Sequence, residues 1–169
     1  MLQTFDKQAA MDGLAALPQR MSLVPGKLRT LLPNVILFNV VPGESVSVRL
    51  AGTRCMHIFG LPSAGVADWI AAADENDRAA RQERFDRIAH GALALETLRL
   101  PMDDGEDYGA QTLLLPFAPD ADGVTAVMAH AHLRLDRYLK IAPLTPAAEP
   151  AQVEFVALEG VEDGIARTA

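Results

Sequence analysis

Apolar residues change their spacing along this chain, and each change marks a new element. From Thr4 to Leu17 the residues Phe5, Ala9, Leu14 and Leu17 recur at roughly helical intervals, until Pro18 ends the run. A second, short helix is predicted from Pro25 to Leu32. Proline is tolerated in its first turn, Pro33 stops it, and Leu28, Leu31 and Leu32 form its buried face. The run NVILFNVV, Asn34 to Val41, is too continuously apolar to have one wet face and reads as a central strand. After the turn PGE, Ser45 to Leu50 alternates, with Val46, Val48 and Leu50 facing one way and Ser45, Ser47 and Arg49 the other. The two runs make a β-hairpin.

Gly52 and Thr53 break the second strand, and Thr53 is the expected N-cap of a short helix that stops at Gly60. Beyond a Gly/Pro-rich passage, Trp69 and Ile70 are expected to dock on the core. Asp74 or Asp77 caps a longer helix whose apolar stripe is Phe85, Ile88 and Ala89 and whose natural stop is Gly91. Its other face carries Asp77 with Arg81 and Glu83 with Arg87, read as solvated pairs that each contribute about a few tenths of a kcal/mol. Three further strands fit Ala94 to Pro101, Tyr108 to Phe117 and Val124 to Leu135, separated by the turn-rich DDGED and APDADG. Five strands with helices grouped between the second and third describe an α+β domain with a mainly antiparallel sheet. Past Leu135 the character changes: APLTPAAEPAQ is a Pro/Ala linker, and VEFVALEG is either a strand or a docking segment. The expected division is 1–24 as N-terminal helix and lead-in, 25–138 as the domain, and 139–169 as linker and tail.

Composition narrows the class. A chain of 169 residues, half of them hydrophobic, is long enough to bury one substantial core without disulfides or metals. The lone cysteine, Cys55, rules out an internal disulfide framework and suits a reducing compartment. A formal net charge of -7 argues against a nucleic-acid partner, whose phosphates need clustered Lys and Arg. The N-terminus has acidic residues and no apolar h-region, and no apolar run approaches the ~20 residues that span a bilayer. A cytoplasmic protein with no membrane association is expected.

The strand–strand–helices–strand–strand–strand order is that of the PAS fold, and particular residues sharpen the likeness. LPQR at 17–20, LLPNVILFNV at 31–40, VRLAGT at 48–53, IFG at 58–60 and LLLPF at 113–117 stand in an order and spacing that resembles a family of PAS-like proteins common in alphaproteobacteria. The resemblance covers about residues 15 to 135, and RLAGT followed by FG is its most specific piece. It implies a five-stranded sheet with short helices packed over one face, and between them a small-molecule pocket. Val46, Val48, Leu50, Met56, Phe59 and Trp69 are the candidate pocket-lining residues. It implies no particular ligand, because PAS domains bind haem, flavins, small carboxylates or nothing.

Side chains that could carry chemistry are few. His57, with Cys55 and Met56 in the short helix, and His90, at the end of the long one, invite a haem-ligand reading. A single axial histidine has no spacing signature, however, and a histidine in a last turn is favoured by the helix dipole alone. His130 and His132 share one strand face with Met128 and Arg134, but no third metal ligand stands near them in sequence. Cys55 lacks the polar motif that surrounds a flavin-reactive cysteine and reads as a buried structural thiol. Asp103, Asp104, Glu106 and Asp107 straddle Gly105 as a solvated hairpin turn. Arg49 is either an anchor for an anion or, more simply, a structural residue facing away from the pocket.

No catalytic motif, cofactor or metal site is therefore expected. The reading is a regulatory, sensory PAS domain that acts by contact with an unknown signalling protein, with itself as a homodimer, or with a small ligand. The long apolar strands need an outer cover, and a homodimer with the N-terminal helix near its interface would supply one. The alternative is a small-molecule enzyme or carrier on a ketosteroid-isomerase-like α+β cone, which would need a buried ionisable group with a displaced pKa in a deep pocket.

Overall fold

The computed structural model describes residues 17–19, 26, 29–62, 65–101, 107–132 and 149–157. Its centre is a six-stranded sheet in which every adjacent pair is antiparallel. In chain order the elements are β1 (Val35–Val41), β2 (Ser45–Ala51), α1 (Thr53–Ile58), α2 (Arg78–Ala89), β3 (Ala92–Pro101), β4 (Asp107–Pro116), β5 (Thr125–His132) and β6 (Gln152–Ala157). Across the sheet the order is β2-β1-β5-β4-β3-β6. The apolar run at β1 is accordingly an interior strand, and the helices lie between the second and third strands as the pattern predicts. The sixth strand comes from VEFVALEG, one of the two fates open to that segment, and it pairs with β3 from Ala92↔Ala157 to Thr97↔Gln152.

One face of the sheet and the helices share a single core. Ile36, Phe38 and Val40 of β1, Val46 and Val48 of β2, Phe85 and Ile88 of α2, and Leu114 and Val127 of β4 and β5 are all buried there. Phe38 is its hub, 5.0 Å edge-on from Phe85 and 5.6 Å from Trp69 between ring centroids. Trp69 reaches the core because the segment before it runs along the edge of β2. Val48 bridges to Val66, and Trp69 N–H donates to Val46 C=O at 2.7 Å. That lining also satisfies part of an edge that would otherwise lie open.

Local details depart from the sequence expectation for steric reasons. The clean alternation of β2 stops at a bulge, since Phe38 pairs with Val48 and Leu37 with Leu50, leaving Arg49 as the additional residue. Val46 and Val48 stay in the core, while Leu50 is 49% exposed on the opposite face and Arg49 is exposed as well. The expected short helix ending at Pro33 is, among the described residues, a turn at 29–31 followed by a 3-10 turn Leu32–Asn34 that contains the proline, and Leu31 is exposed. α1 is capped by Gly52 rather than Thr53, with no side-chain cap bond. A Cβ at Gly52 would lie 1.9 Å from Leu32 C=O and 2.6 Å from Pro33 C=O, so the 3-10 turn can seat against the start of α1 only over a glycine. Most of the N-terminal helix predicted from Thr4 lies outside the described residues. Leu17 is buried, and Pro18 C=O accepts from Ala118 N–H at 3.0 Å just beyond the end of β4.

Gly52→Ala should therefore lower stability by about 1–3 kcal/mol through overpacking. Gly109→Ala in β4, where a Cβ meets nothing within 4 Å, should be close to neutral. Urea denaturation of both variants measures the contrast, and equal losses would show that Gly52 is not sterically constrained.

Candidate functional site

Helix α2 packs one side against the sheet at positions 81, 84, 85, 88 and 89, the i, i+3, i+4, i+7, i+8 stripe of a core-facing helix. Its last turns supply Phe85, Ile88 and Ala89 as expected. Its first turns supply two arginines. Arg81, read from sequence as half of a solvated pair with Asp77, is fully buried, and Arg84 is 9% exposed. Opposite them the inner face of β3 runs Ala92, Ala94, Glu96, Leu98, and that of β4 runs Ala110, Thr112, Leu114. Glu96 and Thr112 are the polar interruptions of these apolar rows, and they stand directly across from one another in the register.

The charged groups close on each other. Glu149, just ahead of β6, bridges both arginines: one carboxylate oxygen meets Arg81 Nε, and the other accepts from Arg84 Nη1 at 2.6 Å. Arg81 Nη1 donates to Trp69 C=O at 2.7 Å while its guanidinium lies 4.9 Å from the Trp69 ring centroid. Arg84 Nε lies 2.8 Å from Glu96 Oε1. That contact is an ion pair and not a hydrogen bond, and neither atom has a hydrogen-bond partner among the described residues. Thr112 Oγ1 likewise has none. Among the described residues, two cations and two anions thus meet inside the domain, and buried charge requires such pairing. Burial pulls Arg81 below its ordinary pKa, opposed chiefly by Glu149, and a guanidinium remains protonated regardless. Burial pushes Glu96 above the usual carboxylate range, with Arg84 partly restraining it.

Beside this cluster lies a cavity of about 40 Å³, walled by Phe38, Phe59, Trp69, Phe85, Leu98 and Leu114 and bordered by Arg81, Arg84, Glu96, Thr112 and Pro150. Of the candidate lining residues, Phe59 and Trp69 are in its wall. Val46 and Val48 are in the surrounding core, Met56 packs against that core, and the bulge places Leu50 outside. The residues that sequence reasoning missed are Arg81, Arg84, Glu96, Thr112 and Glu149. The helical stripe extended back from Phe85 would have exposed the arginines, and the broken rows of β3 and β4 would have exposed Glu96 and Thr112. Nothing local marks Glu149.

The remaining candidates are dispersed. His57 is exposed on α1, and exposed His90 caps α2 with Nδ1 2.6 Å from Asp86 C=O. His130 is half-buried on the outer face of the sheet beside exposed His132. Desolvation, then the neighbouring imidazole, pulls its pKa down. Among the described residues no group of three or more His, Cys, Asp or Glu side chains is placed to hold a metal. The acidic turn at 103–106 and Arg134 lie outside the described residues. Cys55 is fully buried, and desolvation pushes its thiol to about 12.

An antiparallel sheet with its helices gathered on one face over a small cavity defines an α+β domain of the PAS type. Residues 2–130 match the model of the PAS domain family, and the chain belongs to that family of sensory and regulatory domains. No curated protein matches it significantly in sequence. Among solved structures it is similar to an RNA-binding light-oxygen-voltage receptor, with 19% identity, a TM-score of 0.40, and coverage of 69% of this chain and 36% of that one. It is also similar to a fungal LOV-domain photoreceptor, with 14% identity, a TM-score of 0.38, and coverage of 75% of this chain and 90% of that one. The chain therefore spans about a third of the first receptor's length. No helix among the described residues is long and apolar enough to cross a membrane.

Two outcomes follow from the buried groups. Cys55 should resist a thiol-specific reagent in the native protein and react at once in denaturant, as absorbance at the reporter wavelength would record; fast native labelling would show an accessible thiol. For Glu96, a pKa raised by folding means that the native state holds its proton to higher pH than the unfolded chain. The stability it contributes is then complete below about 4.5 and lost as pH rises through the elevated native value. Denaturation of the wild type and Glu96→Gln across that range should show the wild type losing ground to the variant as pH increases. A pH-independent difference would contradict the assignment.

Proposed function

We propose that this chain is a regulatory PAS domain that works by contact, binding a second copy of itself or another signalling protein, and responding to a small ligand, without catalysing a reaction. The observation that carries the contact reading is the outer face of the sheet. There Leu37 stands beside Met128 and Met128 beside Leu115, while Leu113 stands between Leu95 and His130. Leu50 and Leu113 are 49% and 38% exposed and Leu37, Leu95, Leu115 and Met128 are half-buried, so a largely apolar surface is partly open to solvent among the described residues. Patches of this kind mark interaction surfaces, and a two-fold dimer lets one patch cover its own copy. The chain enters the domain at Leu17 and Pro18, next to the end of β4, which supports an N-terminal segment close to that interface. A single buried cysteine suits a reducing compartment, and we place the protein in the cytoplasm.

One observation favours the enzymatic alternative. Glu96 is a buried acid with a raised pKa in a cavity, the kind of group a proton-transferring enzyme uses. Its pairing with Arg84 and the roughly 40 Å³ of space beside it, about enough for one water molecule, weigh against a substrate there.

Sedimentation velocity across a concentration series should show a dimer. Leu113→Asp should weaken it about tenfold or more, because a carboxylate would have to be desolvated at the interface. A monomer at the highest concentration would overturn the homodimer.

A further inference from the structure

His130 stands in the middle of the apolar outer face. The strand register gives its row across the sheet: Val35 of β1, His130 of β5, Leu113 of β4, Leu95 of β3 and Glu154 of β6. Met128 precedes it and His132 follows it on the same face of its own strand. The ring is half-buried, and its Nε2 is buried without a hydrogen-bond partner among the described residues.

A positive charge on this ring has little nearby to answer it. Val35 and Leu37 flank it from β1, and Gln111, Leu113 and Leu115 flank it from β4. The 3-10 turn Leu32–Asn34, which also touches β5, has no charged side chain, and α2 lies on the opposite face of the sheet. On β5 the titratable neighbour is exposed His132, whose protonation opposes that of His130. The carboxylate of the row, Glu154, stands beyond two leucines and three strand spacings away, about 14 Å, where salt screens it. A second copy closing over this surface would strip the remaining water from the ring, and two-fold symmetry would do so in both protomers. A neutral imidazole tolerates that. An imidazolium would lose its hydration without gaining a counter-ion.

We propose that His130 is a pH gate on self-association: the neutral ring lets the outer face close on a second copy, and the protonated ring holds the two copies apart. His130 can act this way only if the homodimer reading of this face holds. Desolvation first, and His132 second, already pull its pKa down in the protomer, and burial in a dimer pulls it further. The dimer is therefore whole above the pKa of the free protomer. It weakens as pH falls through that value, because each separating protomer takes up a proton. The direction runs against the overall charge. With a formal net charge of -7 two copies repel each other at neutral pH, and acidification reduces that repulsion. A dimer governed by net charge alone would tighten where this one loosens.

Sedimentation velocity of the full chain, run from about pH 8 down to about pH 5.5, should show the dissociation constant rising about tenfold or more. His130→Gln should remove this rise, and His132→Gln should keep it. Far-UV circular dichroism of the wild-type monomer formed at low pH should match that of the dimer, a readout that needs no variant to fold. A dissociation constant that stays level or falls on acidification, a rise that persists in His130→Gln, or a low-pH monomer that has lost its circular dichroism would each overturn the gate and leave the dimer standing. A monomer at every pH would overturn the homodimer and the gate together.

Discussion

Two arginines in the first turns of α2 must be neutralised inside the domain, and that requirement organises everything around the cavity. A lone guanidinium so buried would cost several kcal/mol, so each has to meet a carboxylate as the chain folds. Glu96 answers from the middle of β3 and Glu149 from the lead-in to β6. Trp69 contributes both its carbonyl and its ring to Arg81, which ties the loop along β2 to the same point. Helix, sheet centre, loop and final strand are thereby fixed relative to one another by a single cluster. An apolar replacement of similar volume could pack at least as well.

The aromatic residues support that cluster on its apolar side. Phe38 meets Trp69 and Phe85 at tilted and edge-on angles, giving a firm wall where β1 passes beneath α2. The guanidinium of Arg81 lies near the Trp69 ring, and that of Arg84 lies 5.8 Å from the Phe85 ring centroid, so the boundary between charge and hydrocarbon runs through these rings. Low polarity on one side strengthens the electrostatics on the other. The same surroundings make the polar atoms of Glu96 and Thr112 expensive to leave unpaired.

Much of the fold was legible because alternation and turn chemistry report directly on the sheet. The hairpin of β1 and β2, the Gly91 stop and the three later strands all follow from patterns within a few residues. The features that were not legible depend on partners distant in sequence. Leu50 continues a perfect alternation and leaves the core only because Leu37 pairs one residue late. Arg81 has a correctly spaced Asp77 to pair with on the helix surface, yet it turns inward to a carboxylate 68 residues away. Charge normally signals a wet face, and here the geometric stripe is the better guide than residue type. The tail could be either strand or docking segment on composition, and only the open edge of β3 decides between them.

The bulge at Arg49 acts as a frame shift. Before it, odd- and even-numbered residues of β2 serve the two sides of the sheet in the order that the sequence suggests; after it, their assignments are exchanged. Ala51 consequently returns to the interior opposite Ile36, and Leu50 joins Leu37 on the outer surface. One inserted residue thus decides which side a leucine serves, with no change in what the strand is made of. Loss or gain of a residue at this point would move an apolar side chain between core and contact surface in a single step, a route by which related domains could gain or lose partners while keeping the same fold.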